Sequence, residues 1–349
     1  MSGAFVAVRS QFAPFKPALY VLALVTLALA AQLPTKSLSA QSSPRGTVRT
    51  DTLWAAALGT RKAVTVYLPP SYTTATAKRF PVLYYLHGLW GNERNWVDNG
   101  ALATTLDSLM AAGAPEAIVV MPDGDDSWYT TWASLPDLPG CQRDSARAEP
   151  AANYCVPWPH YDDYLAVDVV DFIDQRYRTM AVRARRAIAG LSMGGYGAVT
   201  LALAYPERFV AAASHSGVLS TRLMPSDQPE SARRANALPD FQRAAANLWT
   251  SQRRAFGADS ISWWARDPLV MADRFAARVA RGEVAWPALY LDVGVDDTWL
   301  RHNRDFAARL RSLRAPMAYR ELSGGHTWTY WRTNSAFSLS SLLRVVTAP

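Results

Sequence analysis

Short apolar runs rich in β-branched residues recur along the chain, at Ala63–Leu68, Pro81–Leu86, Ala117–Met121, Arg186–Ala189, Phe209–Ala213, Ala288–Val293 and Met317–Leu322. They are continuous rather than strictly alternating, which is the pattern of strands buried on both faces. Stretches with helical spacing lie between them, at Ala101–Ala112, Tyr164–Arg176, Gly195–Ala204 and His302–Leu313. This rhythm predicts an α/β fold with a mostly parallel central sheet and helices on both faces. Ligands of such sheets bind outside the carboxyl ends of the strands. The residues just after each run are therefore the first candidates for chemistry.

Two segments interrupt the rhythm. Asp123–His160 is long, aromatic and rich in turn formers, and Leu219–Trp286 carries Trp249, Trp263 and Trp264 between two strand-like runs. Excursions of this length serve as lids or binding loops, or else pack as a helical insertion on the sheet edge. Both readings stand for residues 219–286, a helical insertion between late strands in either case.

The first 40 residues read as a signal peptide. Arg9 and Lys16 precede a 14-residue apolar run, Ala18–Ala31, and small residues follow at Ala28–Ala30 and Ser37–Ala40. The run is shorter than the roughly 20 residues of a membrane-spanning helix, and a basic start, short apolar stretch and small-residue cleavage site mark export. The expected location is secreted or periplasmic, with no stable membrane anchor after cleavage. The rest, 41–349, is expected to form a single catalytic domain.

Composition narrows the class further. With 50% hydrophobic residues among 349, the chain can bury a large core and is not intrinsically disordered. The formal charge of +7 falls to +4 without Arg9, Lys16 and Lys36. No basic run or helix face points to nucleic acid. Cys141 and Cys155 are the only cysteines, and in an oxidising compartment they are expected to close a disulfide. Two cysteines without histidines at ligand spacing make an incomplete zinc set, so no metal is expected.

The most informative segment is Gly190-Leu191-Ser192-Met193-Gly194, the chain's G-x-S-x-G. It follows an apolar run and precedes a helical pattern, the context in which a strained turn lifts one serine clear of a sheet. A serine there sits at a helix N-terminus, where backbone N–H groups face developing negative charge. Serine needs a base to act as a nucleophile. Of the five histidines, only His302 and His326 follow Ser192 with room for an acid between. His302 lies in a helical pattern beside Arg301 and Arg304, which reads as a solvated helix face, whereas His326 follows a strand in Gly324-Gly325-His326. The acid is expected where Leu289–Val293 ends, at Asp296 or Asp297, with Asp292 inside the strand a weaker candidate. An HG-x-x-G loop at His87–Gly91 supplies backbone N–H groups for an oxyanion site, Leu89 together with Met193. His87 reads as bracing that loop.

With these motifs the chain resembles the "Putative esterase" family of α/β-hydrolases, which includes esterase D (S-formylglutathione hydrolase), feruloyl esterases and mycolyltransferases. The resemblance spans most of 52–345. It rests on Val66–Tyr72, Pro81–Trp96, Met121–Gly124, Trp128–Trp132, Gly190–Gly195 and Gly324–Trp328, with Phe256-Gly257 and Asp267-Pro268 similar as well. It implies an α/β-hydrolase fold, a carboxylic-ester hydrolase working through an acyl-enzyme, and no cofactor. It places the nucleophile at Ser192, the base at His326 and the oxyanion donors at Leu89 and Met193. Its acid lies three residues after the strand-end glycine, which selects Asp297 over Asp296.

Export argues against S-formylglutathione hydrolase, whose substrate is a cytosolic thiol conjugate. Trp90, Trp128 and Trp299 lie on loops after strands or near the candidate site, as do Trp132 and Trp328. An aromatic pocket there suits an aryl ester or a sugar ring, and hence feruloyl or acetyl esters of polysaccharide. Two alternatives share these residues: an acyltransferase of the mycolyltransferase type, and a silent exported binding protein.

Overall fold

The computed structural model describes residues 45–143, 151, 155–223, 238–244 and 246–349. The chain divides into two units, residues 1–42 and Ser43–Pro349. The first, with the expected signal peptide, lies outside the described residues.

The strands of the second unit are β1 (Thr47–Ala55), β2 (Thr60–Leu68), β3 (Val82–Leu86), β4 (Ile118–Pro122), β5 (Arg186–Leu191), β6 (Ala211–His215), β7 (Ala288–Gly294) and β8 (Met317–Leu322). They form one sheet in the order β1-β2-β4-β3-β5-β6-β7-β8. β1–β2 and β2–β4 pair antiparallel and every later pair is parallel. Seven of these strands fall on the apolar runs, within two residues at most ends; the run at Phe209–Ala213 is displaced to Ala211–His215.

Helices cover both faces, as the alternation predicts. α1 (Leu102–Ala111), α2 (Val170–Arg176), α3 (Met193–Ala204), α4 (Leu238–Ala244), α5 (Ala246–Phe256), α6 (Ser260–Ala265), α7 (Pro268–Ala280), α8 (Leu300–Ser312) and α9 (Trp328–Val346) account for most of the helical residues. Side chains of β3 split between two cores. Val82, Tyr84 and Leu86 join Ile173 of α2, Tyr196 of α3 and Phe306 of α8, while Leu83 and Tyr85 join Leu106 of α1 and Leu342 of α9. A continuous apolar strand is thus divided by its pleat between two helical layers.

β1 and α9 have no counterpart in the apolar pattern. β1 is an edge strand with Arg49 and Asp51 among its residues and only Leu53 and Ala55 buried, so no apolar run marks it. α9 buries Ser335, Ser338 and Ser341 alongside Leu339, Leu342 and Leu343. Polar residues at inward positions break the apolar period by which a helix is recognised.

The segment 219–286 begins as irregular chain at 219–223 and carries helices α4 to α7 between there and β7. Asp267 ties it down: its carboxylate caps α7 at the Leu269 N–H (2.9 Å) and accepts from Ser220 Oγ (2.8 Å) and the Thr221 N–H (2.9 Å). Pro268 occupies the first turn of α7, where its missing N–H costs nothing. Cys141 and Cys155 are joined in a disulfide within the other long excursion. Among the described residues no helix is long and apolar enough to cross a membrane.

Candidate active site

Ser192 stands between β5 and α3 with φ 53° and ψ −117°, a left-handed backbone that costs a residue with a Cβ of order 1–3 kcal/mol. The surroundings hold it there. Its N–H donates to the His215 carbonyl (2.9 Å) and its carbonyl accepts from the Tyr196 N–H (3.0 Å). The two glycines of the motif are required by backbone contact. A Cβ on Gly190 would fall onto the Gly194 carbonyl, and one on Gly194 would lie 2.5 Å from the carbonyl oxygens of Leu86 and His87. Gly190→Ala is therefore expected to destabilise the protein by about 1–3 kcal/mol through overpacking, read as a lower denaturant midpoint; an unchanged midpoint with full activity would contradict this packing.

The turn places β3's following loop against the nucleophile. A Cβ on Gly88 would meet that of Ser192 at 3.4 Å. Leu89 follows directly. Met193 opens α3, and Ser192 makes no side-chain cap, so the leading N–H groups of the helix lack intrahelical partners.

The base and acid arrive from the ends of β8 and β7. The His326 loop fits only because glycines meet there: a Cβ on Gly294 would collide with the Gly324 carbonyl, and Gly324 has φ +121°. His326 Nε2 lies 2.9 Å from Ser192 Oγ. Its Nδ1 lies 3.2 Å and 3.1 Å from Asp297 Oδ1 and Oδ2. Trp331 packs edge-on against the imidazole at 4.9 Å between centroids, and Trp299 does so from a second side at 6.3 Å. The His326 side chain is 28% exposed while that of Asp297 is fully buried. An accessible imidazole against a dry carboxylate is the arrangement that holds one tautomer and stabilises an imidazolium.

The neighbouring carboxylates are placed otherwise. Asp296 is exposed, and its backbone N–H donates to the Gly324 carbonyl (3.0 Å). Asp292 is buried beside His215, with Oδ2 2.7 Å from Nδ1, and accepts from Tyr330 OH (2.9 Å). His302 is a correction to its expected solvated face: it is buried and stacks edge-on against Trp299 at 4.8 Å, because α8 turns that side toward the sheet.

The tryptophans divide. Trp90 is 69% exposed and Trp128 only 1%. Trp90 borders a cavity of about 410 Å³ shared with Asp126, Trp132, Cys141, Ser251 and Arg254; its backbone N–H donates to Asp126 (2.6 Å). Trp128, expected as a substrate-facing residue, is enclosed instead. Its Nε1–H donates to Ser251 Oγ (3.1 Å) and its ring packs on Tyr196 and Phe256, since the excursion turns inward here with φ 59°. Trp299 is nearly buried behind the imidazole.

A buried ionic cluster behind the His87–Gly91 loop has no counterpart in the sequence reading. Lys62 Nζ contacts Asp123 (2.6 Å) and Asp125 (2.9 Å). Burial opposes ionisation of Asp123, but the Lys62 ammonium 2.6 Å away outweighs it and holds this carboxyl well below its usual range. Burial, reinforced by the Asp123 charge, pushes Asp125 up. The only signal in the chain is a lysine at an inward position of β2, a residue type that ordinarily marks an exposed one.

The chain matches the family model described as "Putative esterase" over residues 55–336. It is 28% identical over 283 residues to an esterase of Mycobacterium tuberculosis strain H37Rv, covering 78% of this chain and 54% of that protein. It thus spans about half the length of the mycobacterial relatives it matches. An acetyl esterase of Caldicellulosiruptor saccharolyticus is 25% identical over 255 residues, covering 73% of this chain and 80% of that one. A ferulic acid esterase structure superposes with a TM-score of 0.63 at 28% identity, over 86% of this chain and 99% of that one. The likeness to an S-formylglutathione hydrolase from Agrobacterium tumefaciens, TM-score 0.61 at 19% identity over 87% and 97% of the two chains, is one of fold. The sheet described above is that of an α/β-hydrolase.

Proposed function

The chain belongs to this esterase family, and from that premise we propose that it is an exported serine hydrolase that cleaves feruloyl or acetyl esters of polysaccharide through an acyl-enzyme. The observation that carries the mechanism is the unbroken run of contacts Asp297–His326–Ser192. His326 Nε2 takes the hydroxyl proton as Ser192 Oγ attacks the acyl carbon, and the carbonyl π electrons move to oxygen. Leu89 and Met193 N–H groups stabilise that oxyanion. Collapse expels the alcohol, protonated by His326, and leaves the acyl group on Oγ. Water then repeats the sequence, deprotonated by His326, and releases the acid with Ser192 restored.

Support for the substrate class comes from two sides. A ferulic acid esterase and an acetyl esterase are among the similar proteins. The cavity beside Trp90 is lined by none of Ser192, Asp297 and His326 but adjoins the residue after Leu89, and it offers aromatic faces together with Asp126, Ser251 and Arg254, a mixture suited to an aryl ring or to sugar hydroxyls.

A panel of p-nitrophenyl acetate, p-nitrophenyl butyrate, methyl ferulate and acetylated xylan tests this. Methyl ferulate or acetylated xylan is expected to turn over, with a fluorophosphonate probe attached to Ser192. If both are inert while short aliphatic esters react, the polysaccharide reading fails. If no ester reacts and the probe does not attach, the hydrolytic mechanism fails with it. Sequencing the N-terminus of protein recovered outside the cytoplasm tests export.

A further inference from the structure

The loop that follows β3 is held by an unusual series of buried contacts, and they converge on one peptide plane. Gly124 N–H donates to His87 Nε2 at 2.9 Å. That nitrogen therefore carries a lone pair, and the ring proton resides on Nδ1. Nδ1–H in turn donates to the Gly88 carbonyl at 2.8 Å. The same carbonyl accepts from the Gly91 N–H at 3.1 Å. Gly88 C=O and Leu89 N–H belong to a single peptide, which is trans. In a planar trans peptide the two groups point in opposite directions. Two donors that pin the oxygen on one side thereby aim the Leu89 N–H to the other.

What fixes the imidazole is fixed in turn. Gly124 lies between Asp123 and Asp125, whose carboxylates share the Lys62 ammonium. The Asp125 N–H donates to Asp123 Oδ1 (3.1 Å), and Tyr161 OH donates to Asp125 Oδ2 (2.5 Å). Tyr129 OH holds the preceding carbonyl, that of His87, at 3.0 Å. His87, Lys62, Tyr129 and Tyr161 are all buried, so none of these contacts competes with water.

We infer that His87, oriented by the Lys62–Asp123–Asp125 cluster, is a positioning residue that sets the direction of the Leu89 N–H in the oxyanion site. The inference rests on the proposed roles of Ser192 and Leu89. A preorganised donor contributes to catalysis only when aimed at the transition-state oxygen. A donor freed to rotate binds the ground state almost as well and the tetrahedral oxygen much worse.

The test uses the full-length enzyme with p-nitrophenyl acetate and its thionoester, in which sulfur replaces the carbonyl oxygen and is a poor acceptor for oxyanion donors. In His87→Leu, kcat on the oxo-ester is expected to fall about 10- to 100-fold with KM within about threefold. The oxo-to-thiono rate ratio is expected to narrow by a similar factor. His87→Asn keeps an N–H near the place of Nδ1 and is expected to recover most of both. Lys62→Met is expected to narrow the ratio as well.

The inference is overturned if His87→Leu, folded by circular dichroism, keeps the wild-type rate ratio, or if His87→Asn is as impaired as His87→Leu. A wild-type ratio in folded Lys62→Met overturns the part assigned to the cluster. Should Lys62→Met not fold, Lys62→Arg, which keeps the charge but not the ammonium geometry, is read by the same ratio. Absence of wild-type turnover and of probe attachment at Ser192 is a separate result, one that removes the esterase mechanism itself.

Discussion

Ser192→Ala is expected to lower kcat on p-nitrophenyl acetate by about 10⁴- to 10⁶-fold while the protein remains folded. The size follows from what the hydroxyl does. Without Oγ no acyl-enzyme forms, and His326 Nε2, now without its 2.9 Å partner, can at best activate a water that nothing positions. His326→Ala should cost nearly as much, because a serine hydroxyl without a base is a weak nucleophile. The two losses should not add. Groups that act as one unit fail as one, so the double variant is expected within about threefold of the weaker single variant. Residual activity over the uncatalysed rate would then reflect the oxyanion donors, since Leu89 and Met193 remain. Steady-state kinetics on all three variants decides it: a Ser192→Ala enzyme within tenfold of wild type, or losses that multiply in the double variant, would remove Ser192 and His326 from a shared proton path.

The backbone strain at Ser192 is unchanged in the alanine variant, which also carries a Cβ. Ser192 occupies its left-handed conformation because Gly190 and Gly194 leave room for β3, β5 and α3 to meet backbone to backbone. That conformation is a local consequence of a short motif, which is why G-x-S-x-G was legible in the chain. The Gly-Gly-His loop is legible for a similar reason: glycines after a strand signal a close approach of backbone. The parallel strands announce themselves as continuous apolar runs.

The remainder was hidden where residue type and environment disagree. β1 exposes Arg49 on a sheet edge, and α9 buries three serines, so neither shows the apolar period of its class. Trp128 was expected on a substrate-facing loop, yet a left-handed turn sends the indole into the core. Nothing in local sequence encodes the direction a loop takes. Lys62 is the strongest case. A lysine in a strand reads as solvent-facing, and its burial makes sense only once β4 has brought Asp123 and Asp125 to it. A buried ion pair depends on tertiary partners for its stability, and one chain read along its length cannot supply them.

Asp297→Asn is expected to lower kcat by about 10³- to 10⁴-fold, against an effect within about twofold for Asp296→Asn, the size usual for an exposed site. The substitution changes almost no volume, so the cause must be the proton. Asp297 Oδ1 accepts from the Trp299 N–H at 2.8 Å, and in the variant that donor keeps the amide oxygen on its own side. The amide nitrogen then takes the place of Oδ2, 3.1 Å from His326 Nδ1, and presents N–H to it. Although the amide oxygen lies 3.2 Å from Nδ1, satisfying this new N–H makes Nδ1 the acceptor, and the ring proton then moves to Nε2. That nitrogen then faces Ser192 Oγ with a hydrogen and cannot receive one. The imidazolium also loses a fully buried negative charge. Asp296 offers no such role, because its side chain points to solvent and its backbone serves the Gly324 loop. Measuring kcat and KM for both variants on one ester separates the carboxylates. Equal losses, or a greater loss in Asp296→Asn, would show that burial beside Nδ1 is not what selects the acid.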